Sequence, residues 1–211
     1  MLYNNCSGKH AGMLALALSE GWPVEGYERE SHPLQQLMRR TVAELAGLTP
    51  ESLLVAVDGC SVSVFGMPLA GMARAYAKLA AARVEGDARE RALARVRGAM
   101  LAYPRATGGE GRFSTVLMER TGGRVVAKGG AEGLECLALP GRGLGLAFKC
   151  EDGNARALPP AVVATLEQLG ELDDASGEAL AEYREPTLHN HAGLVVGSLK
   201  VGIRSLAPAV G

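Results

Sequence analysis

The chain has 211 residues, 47% of them hydrophobic and 21% charged, and carries a net charge of −1 with acids and bases interspersed. That is enough apolar material for one sizeable core or two small ones, and the charge gives no reason to expect a nucleic acid or a membrane surface as partner. No long uncharged apolar run occurs, and Met1-Leu2-Tyr3-Asn4 lacks the basic and apolar regions of a secretory signal, so the cytoplasm is the expected location. Cys6, Cys60, Cys136 and Cys150 lack the spacing of a disulfide scaffold, which predicts reduced thiols or metal ligands.

The densest polar stretch opens the chain. Asn4-Asn5-Cys6-Ser7-Gly8-Lys9-His10 sets two amides, a thiol, a hydroxyl, an amine and an imidazole directly before the apolar residues 11–18. Asn5 or Ser7 suits a helix N-cap. The helix that follows has Ala, Met or Leu on every face apart from Gly12, which predicts a buried element ending near Glu20-Gly21. The helix dipole and Lys9, three residues on and on the same face, favour a thiolate at Cys6, making it a candidate nucleophile or metal ligand. A lone cysteine is more often a small core residue. The Asn-Asn and Lys-His pairs around this one are hard to bury without a task.

After a loop over residues 22–30, Ser31-His32-Pro33 opens a second helix striped by Leu34, Leu37, Met38, Val42 and Leu45, with His32 as cap rather than catalyst. Thr49-Pro50-Glu51 is a turn. Residues 53–57 are short, apolar and bounded by turn residues, the pattern of a buried strand. That strand delivers Asp58-Gly59-Cys60, a carboxylate and a thiol at a strand end, where clefts open; an ordinary Asp-Gly turn has the same look. Pro68 starts a helix through Leu79, and Gly86-Asp87 caps another that stops before Pro104. A glycine-rich loop at 108–111 precedes residues 114–118, which the pattern assigns to neither helix nor strand.

From Gly122 the texture turns to β. Residues 124–127, 134–139 and 144–149 predict antiparallel hairpins, with a helix at 159–169 packed on them, an acidic loop, and a last strand at 194–203. Cys136 and Cys150 fall in this β texture and are assigned to the core. Lys128 leaves its strand into Gly129-Gly130, where absent side chains expose backbone N–H donors to a ligand; such a lysine shuttles a proton or anchors an anion.

Taken together, Asn5-Cys6-Ser7-Gly8-Lys9-His10-Ala11-Gly12, Asp58-Gly59-Cys60 and Ala127-Lys128-Gly129-Gly130-Ala131-Glu132-Gly133 resemble the signature blocks of the rhizobial-type (class 3, asparaginase II) bacterial L-asparaginases. His32-Pro33, Pro68-Leu69-Ala70, Glu151-Asp152-Gly153 with Arg156-Ala157, and Asn190 with Ala192-Gly193 match as well. The resemblance implies an α/β (α+β) fold, an antiparallel sheet covered by helices and similar to serine β-lactamases and glutaminases. It would form a single domain over 1–211, helical over about 7–120 and sheet-rich over about 121–204. It also implies an amidohydrolase converting L-asparagine, or a related small amide, to aspartate and ammonia. Zinc would be held by Cys6, Lys9 and Cys60, with Asp58 and His10 as substrate contacts and Lys128 as a catalytic lysine partnering a serine. Two thiolates suit zinc, whereas a neutral Lys amine is an unusual third ligand, and by residue type His10 would come first. A homodimer is the expected assembly.

Family members carry, in a long preceding segment, a nucleophilic Ser within a Ser-x-x-Lys box and another Ser that pairs with the lysine matching Lys128. No Ser-x-x-Lys occurs in these 211 residues, and the nearest echo is Cys6-Ser7-Gly8-Lys9. The expectation is a chain truncated relative to the family, incomplete in fold, and inactive or slow by itself. Ser61 and Ser63 stand where the family usually has Gly and Pro. Two alternatives stay open: a cysteine-nucleophile amidohydrolase using Cys6 with Lys9 or His10 as base, and a non-catalytic module that binds zinc or an amino acid.

Overall fold

A computed structural model describes residues 5–202, with side chains from residue 6 onward. The first part is mainly helical: α1 (Asn5–Ser19), α2 (Pro33–Ala46), the hairpin β1 (Leu54–Val57) and β2 (Ser63–Gly66), then α3 (Leu69–Ala81), α4 (Ala88–Ala102), α5 (Pro104–Gly108) and α6 (Phe113–Arg120). Next come β3 (Val126–Gly130), β4 (Leu134–Leu139) and β5 (Leu144–Lys149), an antiparallel sheet in the order β3-β4-β5. After them stand α7 (Leu158–Gln168), α8 (Asp174–Ala179), α9 (Ala181–Arg184) and the hairpin of β6 (Thr187–His189) and β7 (Val195–Ser198). The architecture is α+β. None of the helices among the described residues is long and apolar enough to cross a membrane.

Local chemistry sets the helix ends. His32 caps α2 through Nδ1, which accepts the Leu34 N–H at 3.1 Å, and Gly47 closes it at φ 68°, a left-handed conformation that glycine adopts without cost. Asp87 and Glu90 form a reciprocal capping box at the start of α4. The unassigned residues 114–118 belong to α6, where Ser114, Thr115, Leu117 and Met118 are buried on neighbouring turns.

The main core lies around the sheet. Leu117, Leu137, Leu139, Val162, Val163, Leu166 and Leu180 are wholly buried there, each side chain contributing about 1.5–3 kcal/mol of burial. The sheet face that carries Gly145 meets α3, and the opposite face, carrying Glu135, meets α6. Gly145 approaches α3 so closely that a Cβ there would overlap the Ala73 carbonyl oxygen and the Ala77 nitrogen.

Several expectations need correction. α1 begins early enough to take Ser7 inside the helix, so Ser7 is not its cap, and α1 is not buried: Met13 and Ala17 are covered but Leu18 is 68% exposed. Apolar residues on all faces cannot all be covered when only one stripe meets α2 and the β1–β2 loop. β1 is likewise no buried strand. Leu54 and Val57 are each 77% exposed, because among the described residues this ribbon pairs only β1 with β2 and has no layer over that side. The last strand is β7, paired with β6 apart from the main sheet, with Val195 and Val196 exposed; residue 203 lies outside the described residues. The acidic loop after α7 contains α8, which Asp173 caps by accepting the Ser176 N–H. Cys136 is buried as expected, while Cys150 is partly exposed.

Candidate functional site

A small second core positions the thiols. Met13 of α1, Leu34 of α2 and Val62 pack together, with Leu16, Trp22, Tyr27, Met38 and Cys60 around them, and so hold α1 against the loop between β1 and β2. Inside that loop the Asp58 N–H donates to Val62 O at 2.9 Å and the Ser61 N–H to Asp58 O at 2.8 Å. Ser61 sits at φ 77°, where glycine is at ease and a serine stores strain. The turn swings Cys60 back over the first turn of α1.

As a result, the sulfurs of Cys6 and Cys60 and a carboxylate oxygen of Asp58 lie within 4.8 Å of one another. Lys9, one turn after Cys6, donates from Nζ to Asp58 Oδ2 at 2.9 Å. The Gly59 N–H donates to Asp58 Oδ1 at 2.8 Å, and Cys60 Sγ stands 3.4 Å from Oδ2. His10 completes the group: its Nδ1 is 2.5 Å from Tyr27 Oη, and the two rings meet edge-on. Tyr27 is held in turn by buried Gln35, whose Nε2 donates to the Tyr27 carbonyl at 2.8 Å. His10 Nε2 is buried with no regular hydrogen-bond partner among the described residues.

Charge is distributed unevenly over this cluster. The His10 ring, the Val62 backbone N–H and Lys9 bring the Cys60 thiol down to about 7. Cys6 moves the other way, raised by its hydrogen bond with Cys60, by burial and by the charge on Cys60. Of the two thiols, Cys60 therefore ionises first. Lys9 bonding, the Gly59 N–H and Cys60 hold the Asp58 carboxyl below its usual range. Burial disfavours the charge on Lys9, but hydrogen bonds with Asp58 and Cys60 outweigh it and its pKa rises. The donor set fits zinc: thiolates about 2.3 Å from a tetrahedral ion stand roughly 3.8 Å apart, within the spacing here. In metal centres a histidine oriented through one ring nitrogen turns the other toward the ion, and His10, held at Nδ1 by Tyr27, has its Nε2 left for such a contact.

Lys128 is placed elsewhere. It borders a half-open cavity of about 280 Å³ lined mainly by aliphatic side chains, among them Val42, Met67, Met72 and Leu134, with Tyr76 and Cys136. None of Cys6, Lys9, His10, Asp58 and Cys60 lines it. The hydrogen bond from Lys128 Nζ runs to the Gly129 carbonyl at 2.5 Å. α2 connects the two regions: Leu34 packs beneath the thiol cluster and Val42 lines the cavity, about 12 Å further along the helix at 1.5 Å per residue.

Comparison with known families decides the affiliation. The family model described as L-asparaginase II matches residues 1–201. The chain belongs to the L-asparaginase II family. A search of curated proteins found no match. The matched span of this L-asparaginase II family member includes both the thiol cluster and Lys128.

Sequence inspection of this family member missed Glu135. It is 4% exposed in the central strand β4, and Ser114 Oγ donates to its Oε1 at 2.7 Å while accepting the Gly129 N–H at 3.0 Å. The available signal is a single charge in Leu-Glu-Cys-Leu-Ala-Leu, a strand apolar on both faces. Burial pushes the Glu135 carboxyl up to about 7, with the Ser114 bond and the Lys128 charge pulling partly back. Because the folded state holds this proton more tightly than the unfolded chain, the contribution to stability is intact below the ordinary pKa of 4.5 and is lost as pH rises through 7. The expected loss between pH 5 and pH 8 is about 2.5 kcal/mol relative to Glu135→Gln, read as the difference between the two proteins' urea unfolding curves across that range. Parallel curves at all pH values would contradict it.

Proposed function

We propose that this family member is an asparaginase-type amidohydrolase, acting on L-asparagine or a related small amide to give the acid and ammonia. The observation that carries the proposal is the convergence of Cys6, Lys9, Asp58 and Cys60 within one match to the family. Cys6, Cys60 and Lys9 would hold zinc, with the Asp58 carboxylate close enough to join or replace the amine. When bound, the ion supplies positive charge for a substrate oxygen or carboxylate. Lys9 enters the ligand set only by giving up the proton that Asp58 and Cys60 now stabilise.

Around the ion, the chain's own groups do the rest. Asp58 offers a carboxylate to a substrate ammonium, and His10, anchored by Tyr27, keeps Cys60 ionised. Lys128 would relay the proton from an attacking serine hydroxyl to the departing ammonia; the resemblance places that serine in a Ser-x-x-Lys box, which these 211 residues do not contain. The cavity of Lys128 has a lining separate from the thiol cluster, which favours an ion that orders the α1–loop junction and the substrate's polar end over one that polarises the scissile carbonyl. With no Ser-x-x-Lys in the 211 residues, acylation by this polypeptide alone is expected to be slow.

Calorimetry with the zinc-loaded chain and an ammonia assay test this together. The expected result is asparagine binding with slow ammonia release. Rapid turnover would overturn the slow acylation, and absence of asparagine binding would overturn the assignment.

A thiol nucleophile is the second reading, and the low pKa of Cys60 favours it in altered form. The thiolate falls on Cys60 rather than on Cys6, the cysteine named from the sequence. Substrate-protected inactivation by an alkylating agent, indifferent to chelators and mapped to Cys60, would support this reading over the zinc centre.

A further inference from the structure

Glu135 has no part in the chemistry above, yet hydrogen bonds from it and from Lys128 meet at the backbone of one residue, Gly129. Lys128 Nζ donates to the Gly129 carbonyl at 2.5 Å, the Gly129 N–H donates to Ser114 Oγ at 3.0 Å, and the Ser114 hydroxyl donates to Glu135 Oε1 at 2.7 Å. The β3–β4 register explains the arrangement. Gly129 pairs with Glu135 and Lys128 with Cys136, so the carboxyl and the lysine stand on opposite faces of the sheet with the Gly129 backbone between them. A Cβ at Gly129 would sit 3.1 Å from Glu135 Oε2 and 3.2 Å from Ser114 Oγ, so a larger residue there would push on both groups.

We infer that Glu135 is a positioning residue for Lys128, acting through Ser114 and the Gly129 backbone to fix, when the carboxyl is ionised, the carbonyl that holds the ammonium at the cavity. An ionised carboxyl draws the Ser114 proton and tightens the bond that the Gly129 N–H donates to Ser114 Oγ, which holds the Gly129 backbone, and with it the carbonyl on the other side of its Cα, in place for the Lys128 ammonium. The inference rests on the reading of Lys128 as the proton-carrying group.

The surroundings leave few competing charges. Lys128 is the cation that acts on Glu135. Tyr76 of α3 and Cys136 of β4 also interact with it, but burial raises both, Cys136 to about 11, so they stay neutral near pH 7. Phe148, the β5 partner of Glu135, is uncharged. The carboxyl itself is pushed up to about 7, so its charge changes in the pH range where the protein would work.

The test reads Lys128 directly and does not depend on catalysis. Lysines of the full chain are reductively dimethylated with ¹³C, which keeps their charge, and the Lys128 resonance is assigned with Lys128→Arg. The expected result is a chemical-shift inflection near pH 7 in the unaltered sequence, lost in Glu135→Gln. Ser114→Ala, which cuts the relay but keeps the carboxyl, should reduce the amplitude and move the inflection to higher pH. An inflection that survives Glu135→Gln, or is absent from the start, overturns the inference. Full amplitude in Ser114→Ala overturns the relay in favour of a direct field effect. Because no turnover is measured, failure of the amidohydrolase reading and failure of this coupling are seen separately.

Discussion

Cys60→Ser is expected to abolish the proposed zinc binding, with affinity falling by more than about a hundredfold, beyond the roughly 10–100-fold that losing an outer partner of a metal centre costs. The reason is geometric and electronic. Cys60 supplies one of two sulfurs in a group whose donor atoms lie within 4.8 Å, and it is the thiol already brought down to about 7. The main core does not include it, so the variant should fold. A titration against a chromophoric chelator measures the loss, and stoichiometric zinc in Cys60→Ser would place the ion elsewhere. In the unaltered protein, affinity should weaken as pH falls below 7 and zinc uptake should release protons, because Cys6 and Lys9 both hold theirs more firmly than usual.

Gly145→Ala should cost more stability than any other single methyl group added to this protein's sheet. Overpacking typically costs about 1–3 kcal/mol where side chains can give way. Here the obstruction is backbone, the Ala73 carbonyl and the Ala77 nitrogen, with Tyr76 C only 2.8 Å from the new carbon. α3 cannot yield without leaving the sheet, so the expected loss is about 4–5 kcal/mol or more, a large share of the ~5–15 kcal/mol that holds a domain folded. Urea unfolding measures it, with Gly141→Ala as control: nothing lies within 4 Å of a Cβ there, and a change within about 0.5 kcal/mol is expected. An unchanged midpoint for Gly145→Ala would mean that α3 does not pack as described.

How far these sites could be read in advance depended on how local their signals are. Capping is local: His32 with Pro33 and Asp87 with Glu90 mark their helices within four residues, and both caps stand in the structure. The helix at 158–168 and the strands β4 and β5 were legible for the same reason, since periodicity and turn residues are properties of short windows, whereas β3, expected at 124–127, runs over Val126–Gly130, so that Lys128 and its two glycines are paired with β4 instead of leaving the strand. Burial is not local. Residues 53–57 and 11–18 carry the composition of buried elements, but whether a neighbouring layer covers them depends on partners far along the chain. Glu135 errs in the opposite sense, a charged side chain closed in because β4 has a strand on each side and α6 over that face.

The residue sequence by itself determined the caps of α2 and α4, the strands β4 and β5 and the chemical inventory: two thiols, an amine, an imidazole and a carboxylate in two short clusters, and a lysine followed by a glycine pair. It also carried the L-asparaginase II family match over residues 1–201. Only the tertiary structure decided which of these groups meet, because Cys6 and Cys60 approach one another through the packing of Met13, Leu34 and Val62, a contact among residues far apart in the chain. The fold also put Lys128 in a cavity of its own and made Cys60, rather than Cys6, the more acidic thiol, since a pKa answers to whatever the fold has brought alongside.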